Sequence, residues 1–295
     1  MARDPSFTIL YGDLKSGKTT AALAAFPNAV FVAAPGALSP AEYVWGFPQP
    51  TAYDLATFRD LHAFATTLTP AHGALVIDDA TLLADRTVNV YKSKGLGGYD
   101  LWGAVLTSAE RLGDECRRKG IHVVMTCHPI VAEIKNGVRL LGGPNFPGQT
   151  RGKLPALADL LLRVEPAPED AIGWPMVIRS ALHPDWLQGS RYNTPDPAPM
   201  NLREILNHAG FKLPRIRGLE WQDKVADQVA QKVLEIGFGE GTTDKIRAAL
   251  AKARDTVLAK ITKDPRHAMW AIKDGYDRAV LTLAAGANSA RIWGF

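Results

Sequence analysis

An α/β fold with a mostly parallel sheet, followed by a smaller helical region, is what this 295-residue sequence predicts, on three observations. Short apolar runs alternate with helical patterns over the first two-thirds of the chain, the arrangement of a layered α/β fold. A glycine-rich stretch, GDLKSGKTT, lies just past the first apolar run and just before a small-residue run, AALAAF. Beyond three prolines in TPDPAP (194–199), apolar residues recur only at helical spacing.

The elements follow in order. Residues 7–11 read as a buried strand and residues 20–26 as a helix. AVFVAA (29–34), ALVIDD (74–79), HVVMTC (122–127) and DLLLRVEP (159–166) are short apolar runs bounded by turn residues, as buried parallel strands are. Helices are expected over 54–68 and 101–119; the second places Val105, Ala109, Leu112 and Cys116 on one face before Gly120 stops it. TPDPAP precludes a regular helix and reads as a linker, dividing residues 1–195 from a basic helical region at 200–295. There Asn201 caps LREILNHA, and stripes run through Val225, Val229, Val233 and Ile236, then Ile246, Leu250, Ala253, Val257 and Ile261, then Met269, Ile272, Tyr276, Val280 and Leu283. Such stripes are packing faces.

Composition narrows the classes. Two cysteines, Cys116 and Cys127, are too few for a disulfide framework or a zinc site and point to a reducing compartment. There is no signal-peptide pattern and no stretch of eighteen apolar residues, so a soluble cytoplasmic protein without a membrane partner is expected. The net charge of +4 is unevenly spread: residues 201–295 carry 16 Lys and Arg against 11 Asp and Glu, the rest 18 against 19. A basic appendage of this kind fits a polyanion, and equally an ordinary solvated face.

The chemistry is concentrated in GDLKSGKTT. Gly12, Gly17, Lys18 and Thr19 fill the fixed positions of GxxxxGKT, a loop whose backbone N–H groups cradle phosphates in front of a helix N-terminus. Gly12, Asp13, Leu14, Lys15, Ser16, Gly17, Lys18, Thr19 and Thr20 are the expected nucleotide contacts. Lys18 would reach the β and γ oxygens and Thr19 would ligate Mg²⁺, whereas Lys15, at a variable position, reads as a solvated loop lysine. ALVIDDA then delivers carboxylates to a strand end, where open parallel sheets bind ligands. Asp78 would hold the magnesium, and Asp79 would either activate the attacking water or cap the next helix. In VVMTCHP, Thr126 and His128 stand at the tip of another strand, placed to sense the γ-phosphate. No guanine-recognition motif stands out, so ATP is the expected nucleotide.

With GDLKSGKTT, ALVIDDATLL, GYDLWGAVLTSAERLGDECRRKGIHVVMTCHP and GKLPALADLLLRVEP in this order, the chain resembles the RecA-like P-loop ATPases encoded by bacteriophages, a group that includes phage recombinases and single-strand annealing ATPases. The resemblance covers residues 6–206. It implies a RecA-type core, ATP hydrolysis coupled to DNA work in a ring or filament, a Walker B role for Asp78 and a polar strand-end role for His128. Two departures stand out: AVFVAAPGA lacks the acid that such proteins carry near the end of the second strand, and Asp79 replaces a small polar residue. The likeness also implies that a neighbouring subunit's cation completes the site; Arg151 and Lys153 in GGPNFPGQTRGK and Arg191 in LQGSRYN are the candidates. That loop could equally contact single-stranded DNA or be plain surface. The two function classes that remain are an ATPase assembling on single-stranded DNA for recombination or annealing, and a nucleotide-gated scaffold whose helical region binds protein.

Overall fold

The computed structural model describes residues 3–34, 36–38, 50–135, 137–168, 175–214, 220–238, 241–259 and 265–286. Strand β1 (Phe7–Gly12) is buried along its whole length, which is why it reads as an unbroken apolar run. Residues 13–17 then turn the chain into α1 (Lys18–Ala25). There follow β2 (Val30–Ala33), β3 (Ala52–Tyr53), α2 (Phe58–Ala65), β4 (Ala74–Asp78), α3 (Ala80–Ser93), α4 (Gly98–Arg118) and β5 (His122–Cys127). Past β5 come β6 (Pro129–Ile130), a hairpin of β7 (Glu133–Lys135) and β8 (Val138–Leu140), β9 (Gly143–Pro144), α5 (Thr150–Leu157) and β10 (Leu160–Pro166).

The main sheet runs β3–β2–β4–β5–β1–β10 with every neighbour parallel. Antiparallel β11 (Met176–Arg179), with β13 (Ala198–Pro199) beyond it, closes the β10 side, and β12 (Gly189–Ser190) also pairs with β10. One sheet face packs on α1, α6 (Leu202–His208) and α9 (Pro265–Gly286), through Leu23, Ile205, Leu206, Trp270 and Leu281. The other packs on α2 to α5, through Phe58, Leu83, Val105, Leu112 and Leu154. A third apolar cluster joins α7 (Glu220–Ile236), α8 (Thr243–Leu258) and α9 to Val177 of β11.

The expected layered α/β architecture, mostly parallel sheet and C-terminal helices are all present. Differences are local. Helix α2 starts at Phe58 rather than residue 54, because the Thr57 hydroxyl accepts from the Asp60 N–H at 3.1 Å and caps it there. TPDPAP is non-helical as expected, yet it is pinned rather than free: the Asp196 carboxylate accepts from Arg179 at 2.9 Å and Ser180 N–H at 2.7 Å, and Ala198 and Pro199 form the sheet's edge strand. Proline suits an edge, where its missing donor costs no ladder bond. Met269 is 45 % exposed and falls off the expected α9 stripe; Ala268, Ile272, Tyr276 and Val280 are buried. Ile261 lies outside the described residues. Where α9 crosses α7, a Cβ on Gly275 would stand 2.4 Å from the Ala226 carbonyl oxygen, so only glycine permits the approach.

Candidate nucleotide-binding site

The loop after β1 owes its shape to its glycines, each in its own way. Gly17 caps α1 with φ 87°, a left-handed conformation that glycine adopts without a Cβ penalty. Gly12 is needed for packing: a Cβ there would lie 2.7 Å from the Val164 carbonyl oxygen of β10. Lys15 also has positive φ, 61°, and together with Asp13 and Leu14 faces solvent, while Ser16 is buried. The first intrahelical bond runs from Ala21 N–H to Gly17 O, so the amides of Lys18, Thr19 and Thr20 have no partner within the helix. A buried lysine sits beneath this amide-rich turn. Lys18 Nζ donates to the carbonyls of Gly12 (2.8 Å) and Asp13 (2.7 Å) and contacts Ser16 Oγ at 3.4 Å.

Asp78 ends β4 on the α1 side of the sheet. The Thr19 hydroxyl donates to it (3.0 Å to Oδ2), and so does the Thr126 hydroxyl from the adjacent strand β5. Burial pushes its carboxyl above the ordinary range; the two hydroxyls pull it back, Asp79 adds to the rise and Lys18 opposes it. Burial likewise lowers the Lys18 ammonium, against the pull of Asp79 and Asp78. Lys18 and Asp78 thus each favour the other's charged form, against a burial that shifts both the other way.

Asp79 follows Asp78 through a cis peptide and caps α3, its Oδ1 accepting from Thr81 N–H at 2.7 Å. That is the capping alternative of the sequence reading. Its Oδ2 lies 2.6 Å from His128 Nε2, and His128 N–H donates to the Thr81 hydroxyl at 3.1 Å. The tips of β4 and β5 and the start of α3 are thus bound into one polar unit that brings Asp78, Asp79, Thr126 and His128 together beside Lys18 and Thr19.

Of the three basic candidates, two are held by other partners and one is exposed. Arg151 donates to Leu141 O at 2.8 Å and pairs with Glu133 at 3.7 Å, and Lys153 is exposed on α5. Arg191 lies 3.5 Å from Asp159, whose other oxygen accepts from Phe7 N–H at the start of β1. The phosphate loop leaves the far end of that strand, roughly 17 Å away at about 3.3 Å per residue. Within one chain Arg191 is therefore not part of the site.

Two groupings escaped the sequence reading. Asp54 and Arg86, paired at 2.6 Å, line the same cleft as Asp78 and Asp79 at the ends of β2 and β4. On the opposite side, Asn201, Trp270, Lys273 and Asp274 bring α9 against Gly17 and Thr20. The first was hidden because Asp54 follows a strand only two residues long; the second because Lys273 and Asp274 lie within a helix whose sequence announces only packing.

Magnesium bound with a nucleotide takes one or two protein oxygens and completes its shell with phosphates and water. The donor chemistry fits: Asp78 and Thr19 offer hard oxygens, Lys18 a cation, and the α1 N-terminus unpaired amides. Among the described residues no group of three or more His, Cys, Asp or Glu is arranged to hold a metal by itself. Nor is any helix among them long and apolar enough to cross a membrane.

No family model matches the chain, and no curated protein does. Solved structures do show likeness. The RadB recombinase is 17% identical over 62% of this chain and 86% of its own, with a TM-score of 0.41. A KaiC-like protein from the hyperthermophilic archaeon Pyrococcus horikoshii is 12% identical over 60% of this chain and 79% of its own, with a TM-score of 0.38.

Proposed function

We propose that the chain is a magnesium-dependent ATPase with a RecA-like core, acting as a homo-oligomer on single-stranded DNA in recombination or annealing. The observation that carries the nucleotide part is the convergence of Lys18, Thr19, Asp78 and Thr126 at the end of a glycine loop that opens a helix. A phosphate chain would take the free amides of α1 and the Lys18 ammonium, and the metal would sit between Asp78, Thr19 and the phosphates, withdrawing charge from the bond to be broken. Asp79 and His128, tied to each other at the strand tips, would transmit the state of the γ-phosphate to the segment that follows β5.

Support for the DNA part is the β7–β8 hairpin, which projects from that segment with Ile134 and Val138 exposed and Arg139 beside them. An exposed hairpin that carries a cation, here Arg139 paired with Asp185, can meet a phosphate backbone. The basic excess of residues 201–295 adds to this. A protein-binding scaffold is the second reading, favoured by an apolar groove between α7 and α8 lined by Val225, Val229, Leu250, Ala253 and Val257. Titration of a fluorescently labelled oligonucleotide separates the two. Binding that requires ATP and weakens steeply with salt supports the first; none at low salt refutes it.

A further inference from the structure

We propose that Asp54 is the carboxylate that orients the attacking water in nucleotide hydrolysis and that Arg86 positions it. The proposal rests on the nucleotide-hydrolysing reading above. Attack by water is assisted by a carboxylate near the γ-phosphate with an oxygen to spare. Asp78 has both oxygens within reach of the Thr19 hydroxyl, and one also accepts from Thr126. Asp79 commits one oxygen to Thr81 N–H and the other to His128. Neither is left over.

Asp54 is differently placed. Tyr53 pairs with Val32, and Ala33 pairs with Asp78, so Asp54 and Asp78 stand level on either side of β2. Two strand spacings separate their backbones, about 10 Å, and both residues line one cleft. Between them β2 ends in Ala33, and Ala33 and Ala34 line the cleft with side chains no larger than a methyl. Leu55 and Leu83 line the same cleft and lower its polarity. Arg86, on the helix that Asp79 caps, holds Asp54 Oδ1 at 2.6 Å, which leaves Oδ2 for a water. At 51% and 40% side-chain exposure, the two sit at the mouth, where a water enters.

In the step itself, the water oxygen forms a bond to the γ-phosphorus and the bond from that phosphorus to the bridging oxygen breaks. The bridging oxygen leaves with the electron pair on the diphosphate, where Lys18 meets the charge. The water's proton passes to Asp54 and from there to solvent. Arg86 touches no reacting atom in this scheme; it fixes the carboxylate's rotamer.

The test compares Asp54→Asn, Arg86→Gln and Arg86→Lys with the unaltered chain in phosphate-release kinetics, affinity for a non-hydrolysable fluorescent nucleotide, and melting temperature. Asp54→Asn should lower kcat by about a hundredfold, the lower range for loss of a general base, with nucleotide Kd within threefold and the melting temperature nearly unchanged. Arg86→Gln should lower kcat by a smaller factor that Arg86→Lys partly restores. If Asp54→Asn turns over within twofold of the unaltered chain, or if its kcat falls only in step with affinity and melting temperature, the assignment is wrong. Absence of any Lys18-dependent turnover in the unaltered chain would instead refute the hydrolysis reading, and this assignment with it.

Discussion

Replacing Lys18 by alanine separates the two jobs this side chain does. In the free protein its ammonium makes hydrogen bonds to two loop carbonyls, each worth about 1.5–3 kcal/mol for a charged donor. Against this stands the desolvation of a side chain that is only 8 % exposed, a cost of several kcal/mol for a buried ion. The two nearly cancel, and the carbonyls of Gly12 and Asp13 can turn to water once the chain is shortened. Folding stability should therefore change by about 1 kcal/mol or less, equivalent to roughly 2–4 °C in melting temperature for a chain of this size.

Nucleotide binding has no such cancellation. Truncating one partner of a buried charge pair costs about 2–5 kcal/mol, which is a loss of roughly 30- to 5,000-fold in affinity. Asp78 also loses the cation that opposes the rise of its carboxyl. Equilibrium titration with a fluorescent ATP analogue, alongside circular dichroism and a melting curve, reads both quantities. Affinity within threefold of the unaltered chain, with the fold intact, would mean that GDLKSGKTT is an ordinary turn and that the whole site is misassigned.

Other perturbations follow from individual contacts. Asp78→Asn should abolish the magnesium dependence of nucleotide binding, whereas Asp79→Asn should retain binding and lose turnover through its broken pairing with His128; titrations at several magnesium concentrations distinguish them. Gly275→Ala forces a methyl against the Ala226 carbonyl and should cost about 1–3 kcal/mol, seen as a lowered denaturant midpoint. Glu204, buried beside Asp274 and opposed by Arg278, has its carboxyl raised to about 7. Because the folded form holds the proton more tightly, its contribution is full below pH 4.5 and is lost as pH rises to about 7; Glu204→Gln should flatten the stability profile there and raise stability at pH 8. If a neighbour supplies a cation, mixing Arg151→Ala/Lys153→Ala/Arg191→Ala chains with Lys18→Ala chains should restore part of the turnover, and a mixture that co-assembles by light scattering yet stays inactive counts against shared sites.

What could be seen in the sequence was whatever depends on neighbours along the chain. β1, β4 and β5 are buried on both faces, so their apolar runs are continuous and their ends fall within a residue of expectation. The phosphate loop is a local object whose spacing carries its geometry. Thr126 and His128 were visible as polar residues breaking an apolar run at its tip, although that Thr126 would bind Asp78 depends on β4 and β5 being adjacent. Asp54 had no such signal. Its strand contributes two exposed residues, and its placement level with Asp78 comes from pairing with β2 across a long stretch of chain.

The same distinction bears on where the charge of hydrolysis is met. The sequence points to another subunit because Lys18 stands alone as a cation in the core, and it offers Arg151, Lys153 and Arg191 as the neighbour's candidates. The pairing of β12 with the beginning of β10 holds Arg191 at the sheet end where β1 starts, so it could reach a phosphate loop only from a second copy. Lys18 is the cation that this chain itself places at the phosphate loop, while the Arg86 guanidinium is engaged by Asp54. A cation in cis makes turnover independent of protein concentration, whereas Arg191 can act only if a second copy sets the bottom of its sheet over the top of the first. Dilution therefore discriminates: turnover per chain that stays constant from micromolar to nanomolar protein assigns the charge to Lys18 within the chain, and turnover that collapses with the assembly assigns it to the neighbour.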